Sequence, residues 1–75
     1  MTNANIIFLT HLRKIGDNCK TLRIKKGWSI AQLSIESNIT EMTLYNLERG
    51  GDNVTMRTMT NVAVALDVEI QSLLG

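Results

Sequence analysis

The sequence predicts an all-α fold, a bundle of five short helices, from three observations. Apolar residues recur every three or four positions through most of the chain, the spacing of one helix face. Residues suited to helix ends, among them Gly27, Ser29, Asn38, Thr40, Gly50 and Thr55, separate these apolar segments. The chain has no proline, internal repeat or low-complexity tract, so glycine, asparagine and threonine supply the punctuation.

The first element is a helix from about Ile15, or earlier, to Lys26. Ile15, Cys19 and Leu22 share one face, and Phe8 and Leu12 extend that stripe upstream. Gly27 follows a basic last turn and stops it. Gly16 and Asp17 are a candidate break. They separate an extension, residues 1–14, helical in character, from a domain over residues 15–75. Ser29 stands three residues before Gln32, a capping box in which the serine oxygen takes an orphan amide and the glutamine reaches back. The second helix runs from Ile30 to about Ser37, with Leu33 and Ser34 turned inward. Asn38, tolerant of positive φ, makes a tight turn.

Thr40 caps the third helix, Glu41 to Arg49. Glu41 suits the positive end of its dipole, Leu44 and Leu47 are its buried residues, and Gly50-Gly51 ends it. After the loop "GGDNV", Thr55 caps a fourth helix with Met56, Met59, Val62, Ala63 and Leu66 on one face. The methionines are core filler. Asp67 closes this helix, and a last turn or two holds Ile70, Leu73 and Leu74.

At 75 residues the chain is one domain. A domain of this size buries only about 60% of its unfolded surface, so pairing with a second copy would help it. Its 44% apolar and 20% charged residues suit a globular chain, not a disordered one. A single cysteine, Cys19, excludes an internal disulfide and points to a reducing cytoplasm. The longest apolar run, Ile6 to Leu9, is far short of the roughly 20 residues of a membrane span. No basic n-region or small-residue cleavage site marks a signal peptide. Charge is uneven: residues 1–26 carry six basic side chains against Asp17, and residues 27–75 carry two against six acidic ones. Such asymmetry marks either a polyanion-facing side or, more plainly, a solvated basic face on the first helix.

Residues 30–49 fit a helix-turn-helix template. Leu33 is inward and Ser34 is small where a second helix crosses. Asn38 turns, Ile39 plugs the gap, and Leu44 and Leu47 hold the second helix down. With its flanks, the pattern "LRIKKGWSIAQLS", "NITEMTLYNLERG" and "TMTNVAVALDVEIQSLL" resembles the single-domain Cro and C1 repressor type of helix-turn-helix protein, the XRE family. The resemblance rests on Arg23, Gly27, Ser29, Leu33, Ile39, Glu48, Gly50, Ala65-Leu66 and Val68. It implies a lambda-repressor-like five-helix bundle with a central helix-turn-helix. The helix from Thr40 would lie in the major groove of double-stranded DNA, and the helix from Ser29 would cross the backbone.

The resemblance further implies that Glu41, Met42, Tyr45 and Asn46 face the base edges, and their position opposite Leu44 and Leu47 agrees. Asn46 can pair with adenine, Glu41 can accept from cytosine N4, and Met42 can touch a thymine methyl. Tyr45 either stacks on a sugar or base or packs half-exposed. Backbone anchors are expected at Ser29 and Ile30 through helix-start amides, and at Thr43, Arg49, Gly50, Gly51, Asn53 and Arg57. Arg23 and Glu48 match a family position where an ion pair bridges the first and third helices. The sequence departs from the family at Ile30, where glutamine is common, at Glu41, where a neutral or basic residue is common, and at Val54, where proline is common.

The expected protein is a DNA-binding transcriptional regulator of a bacterium or phage, acting in the cytoplasm as a homodimer. Ile70, Leu73 and Leu74, or else Ile7 and Phe8 with their neighbours, are the candidate dimer surfaces. The alternative is a protein-interaction module on the same fold. His11 and Cys19 are too isolated to hold zinc. No set of residues suits nucleophilic catalysis. No enzyme activity, cofactor, metal or small-molecule ligand is expected. Trp28 is expected at the edge of the core.

Overall fold

The computed structural model describes residues 3–51 and 54–75, and among them lie five helices. They are α1 (Asn3–Lys25), α2 (Ile30–Ser37), α3 (Glu41–Glu48), α4 (Met56–Leu66) and α5 (Gln71–Leu74). α1 packs on α3 and α5, and α2 packs on α3 and α4. The core between them centres on Leu33, Leu44, Val62, Leu73 and Cys19, which are fully enclosed. Trp28 and Ile39 pack against this core from its edge.

The starts of the middle three helices follow the cap chemistry. Ser29 accepts from the Gln32 amide, Thr40 from that of Thr43 and Thr55 from that of Thr58. One expected detail differs. The Gln32 side chain does not reach back to Ser29 but donates to Glu36 at 3.4 Å, one turn onward. Only half of the capping box forms.

Three helices end in the same way. After α1, Trp28 N donates to Arg23 O and Gly27 N to Ile24 O. After α3, Gly51 N donates to Asn46 O and Gly50 N to Leu47 O. After α4, Val68 N donates to Ala63 O and Asp67 N to Val64 O. These are Schellman pairs, which require a left-handed residue at the first position beyond the helix. That residue has φ 76° at Gly27, 68° at Gly50 and 60° at Asp67. Asn38, at φ 59°, makes the turn after α2.

α1 has 23 residues and does not break at Gly16 and Asp17. Gly16 has a different purpose. A Cβ there would collide with the Leu47 carbonyl oxygen and lie 2.9 Å from that of Glu48. The missing side chain lets α1 run against the end of α3. The extension is therefore not a separate piece but the front of α1. A helix of this length spans about 35 Å, close to the molecule's longest extent of 37 Å. From Asn3 to His11 every residue is exposed, and burial begins at Leu12. Phe8 thus lies outside the core its stripe leads into.

Two further expectations are corrected. Met56 is 62% exposed, because it is the first residue of α4 and burial on that helix begins one turn later at Met59. Leu73 is fully buried, so it belongs to the monomer's core and offers no surface to a second copy. Asn18 fixes α5 over α1 by donating from Nδ2 to Leu73 O at 2.8 Å. No helix among the described residues is long and apolar enough to cross a membrane.

Candidate nucleic-acid interface

The α2–α3 unit is built around a short turn. Leu33 on α2 and Leu44 and Leu47 on α3 are buried. Ser34, small at the crossing, also donates its hydroxyl to Ile39 O at 2.6 Å and so binds the turn to α2. Ser37, the one polar residue buried among those described, donates to Leu33 O at 2.6 Å and is satisfied within its own helix. With Leu44 and Leu47 inward, the opposite face of α3 is presented outward. Glu41, Met42, Thr43 and Tyr45 are exposed and Asn46 is half-buried. Met42 is 70% and Tyr45 55% exposed, so α3 presents apolar and aromatic surface beside its polar side chains.

The rear of α3 is fixed to α1 by the Arg23–Glu48 pair. Arg23 Nε donates to Glu48 Oε2 at 2.7 Å and Nη2 to Oε1 at 2.9 Å, a two-pronged contact. Nη1 donates to Trp28 O at 2.8 Å, so the same guanidinium also secures the turn after α1. Only 11% of the arginine and 8% of the glutamate side chain is exposed. Hydrogen bonding to Glu48 raises the Arg23 pKa above its ordinary value, against the effect of burial. The Cys19 thiol sits 3.8 Å from Glu48 Oε2. Burial, and then the nearby carboxylate, push its pKa up to about 12, so it stays a neutral thiol. Lys26 lies 4.9 Å over the Trp28 ring, a cation–π contact beside the same turn.

The expected backbone anchors fall into different environments. Ser29, Thr43, Arg49, Gly51 and Arg57 are exposed. Thr40 Oγ1 donates to Thr43 Oγ1 at 2.9 Å, which leaves the Thr43 hydroxyl its own proton to give. Ile30 has its side chain in the core, 8% exposed, so only its backbone amide can serve. That amide and Ala31's precede the first intrahelical bond of α2 and point from a helix start, a natural anion site. Gly50 is needed for packing: a Cβ there would stand 2.9 Å from Arg13 Cα. The expected role of Asn53 falls outside the described residues.

One contact was not anticipated. Arg49 Nη2 donates to Asn46 Oδ1 at 2.7 Å. The only signal for it in the sequence is the three-residue spacing, which places both side chains on one helical face.

Comparison with known proteins agrees with this geometry. The HTH_3 helix-turn-helix family matches residues 20–73. The restriction-modification controller protein C.AhdI from Aeromonas hydrophila is similar at 34% identity, with a TM-score of 0.80 over 83% of this chain and 94% of that one. An HTH_3 family transcriptional regulator from Vibrio cholerae shares the fold at 21% identity and a TM-score of 0.84. That alignment covers 88% of this chain but only 37% of the other. No curated protein matches the chain. A sequence match across most of its length, on a bundle whose turn, caps and crossing residues meet the motif's requirements, shows that the chain belongs to the HTH_3 helix-turn-helix family, of XRE type.

Proposed function

We propose that the protein is a sequence-specific DNA-binding transcriptional regulator that acts as a small homodimer in the cytoplasm of a bacterium or phage-infected cell. The observation that carries this reading is the polar and apolar face of α3. Glu41, Met42, Tyr45 and Asn46 stand outward on a helix whose back is fixed by Leu44, Leu47 and the Arg23–Glu48 pair. Such a face, entering a major groove by its N-terminal turns, reads base edges. The start of α2, the Thr43 hydroxyl, Arg57 and the backbone near Gly51 supply phosphate contacts that set its register. Likeness to a restriction-modification controller along most of both chains supports that subtype over a phage repressor or an antitoxin.

Two reading helices must sit about 34 Å apart to address one face of DNA. We assign the pairing to the front of α1. Ile6, Ile7, Phe8 and Leu9 are 47–56% exposed on the front stretch of α1, where every described residue up to His11 is exposed. Taking roughly 200 Å² for each such residue when free, this turn exposes about 400 Å², but at about 100° per residue only about half of it faces any one partner. Two copies paired there bury about 400 Å² from this turn, and further residues along α1, such as Thr10, must join to approach the roughly 1,200 Å² lower end of a stable interface. Residues 1–10 carry no charged side chain, so two copies meet there without like-charge repulsion. Of the two apolar residues of α5, Leu73 is buried and Leu74 is 43% exposed.

The test is a titration of duplex DNA at several salt concentrations. Log affinity is expected to fall with log salt by about 0.9 per phosphate contact, and Asn46→Ala is expected to weaken selected sites but not random ones. A protein-interaction module on the same fold is the other reading, favoured by Ile35, which is 74% exposed on α2. It predicts no duplex preference at low salt and no effect of Asn46→Ala.

A further inference from the structure

An asparagine facing a base is ordinarily matched to adenine, because its oxygen accepts from N6 while its amide donates to N7. That match uses both ends of the side chain. In this protein Asn46 Oδ1 already accepts from Arg49 Nη2 at 2.7 Å. The ends cannot be exchanged: a guanidinium only donates, so the atom facing it is the oxygen. The surrounding backbone favours the arrangement. Gly51 N donates to the Asn46 carbonyl at 3.0 Å, which holds the backbone of Gly51 beside the pair. Asn46 is half-buried and Arg49 exposed, so the amide is the fixed partner and the guanidinium folds over it. The bond takes one of the two lone pairs of Oδ1, and beside it stand the Asn46 NH₂ and the remaining guanidinium N–H groups, so donors outnumber acceptors on this surface.

We propose that Asn46 and Arg49 act as one donor-rich reading unit, with the guanidinium held beside the amide, that selects guanine in the DNA half-site. Guanine alone shows two acceptors, N7 and O6, on its major-groove edge, whereas adenine sets an N6 donor against the unit. This makes Arg49 a specificity-determining residue and not only a phosphate anchor. It rests on the DNA reading proposed above.

The experiment selects bound duplexes from a random pool with the wild type, with Asn46→Ala and with Arg49→Met, and checks the fold of each variant by its melting temperature. The position whose preference disappears in Asn46→Ala is the one the unit reads, and guanine is expected there. Placing 7-deazaguanine at that position removes N7 and is expected to lower affinity about tenfold. Arg49→Met releases Oδ1 and is expected to move the preference toward adenine. A wild type that prefers adenine there overturns the inference, as does an Asn46→Ala variant with unchanged preferences. So does an Arg49→Met variant that weakens every duplex alike and keeps guanine. A wild type that binds no duplex at low salt overturns the regulator reading and this inference with it.

Discussion

Replacing Arg23 by methionine keeps the apolar stem and removes the guanidinium. Three hydrogen bonds disappear, at 2.7, 2.9 and 2.8 Å, two of them to the Glu48 carboxylate. Glu48 is then left with a side chain 8% exposed and, for company, a thiol at 3.8 Å. An unpaired carboxylate at that depth costs about 3–5 kcal/mol. A chain of 75 residues has a total stability of roughly 4–11 kcal/mol at about 0.05–0.15 kcal/mol per residue. The variant therefore loses about a quarter of its stability at least, and its melting midpoint falls by about 12 °C or more. Urea unfolding with an unchanged slope is the assay, since a shifted midpoint at constant slope isolates stability. The double variant Arg23→Met, Glu48→Leu is expected to recover most of the loss, because it leaves no charge stranded. A single variant within about 1 kcal/mol of the wild type would refute the reasoning, since it would mean that water reaches the carboxylate. A double variant as unstable as the single would refute it too.

Three other changes follow from named contacts. Gly16→Ala gains roughly 1 kcal/mol of helix propensity but drives a methyl into the Leu47 carbonyl, so a net loss of about 1–3 kcal/mol in urea unfolding is expected. Burial raises the Cys19 pKa to about 12 in the fold from an ordinary value of 9.0. Its contribution is complete below pH 9 and is lost as pH rises toward 12, at up to about 1.4 kcal/mol per pH unit; Cys19→Ala should flatten that alkaline slope, and the native thiol should resist alkylation at pH 8. Leu9→Asp places like charges in the proposed pairing seam, so sedimentation equilibrium should show a dimer constant weakened at least tenfold with an unchanged monomer melting curve. A dimer unaffected by Leu9→Asp removes the front of α1 as the interface.

The parts of this fold that were legible in the sequence are those set by local chemistry. Ser29, Thr40 and Thr55 cap because a hydroxyl at that place satisfies a specific amide, whatever the tertiary structure. Asn38 and Gly50 announce left-handed backbone for similar reasons. The Arg23–Glu48 pair followed from the family pattern, and its geometry bears out a bridge between the first and third helices. The parts that were not legible depend on which surface passes near which. Gly16 reads as a breaker until α3 is seen to need its bare Cα. Met56 and Leu73 each obey a helical period, but the period does not say where a partner helix begins or ends, so one is outside and the other inside. The Asn46–Arg49 contact hides for another reason: two polar side chains three apart on a helix can equally well point to solvent.

The anion at the front of α3 acquires a meaning from the donors at its rear. Glu41 is an acceptor-only side chain at the first helical residue, where the dipole favours negative charge. Asn46 with Arg49 is rich in donors, five residues further along. Five residues rise about 7.5 Å along a helix, which is about two base pairs at roughly 3.4 Å each. On the proposed reading, this surface would then make opposite hydrogen-bonding demands about two steps apart: a base that donates, cytosine through N4 or adenine through N6, before Glu41, and a guanine before the Asn46–Arg49 unit. Met42 and Tyr45, between and beside them, add apolar contact that suits a thymine methyl or a sugar. A half-site with that polarity lets an acidic residue sit in a groove walled by phosphates, because the base it meets supplies the proton its charge requires. A half-site without it would leave Glu41 desolvated and unpaired, a cost that discriminates against wrong sequences. Glu41→Gln should then raise affinity for random duplexes while narrowing the gap between random and selected ones, and a Glu41→Gln variant that loses affinity for both would show that the carboxylate takes no part in discrimination.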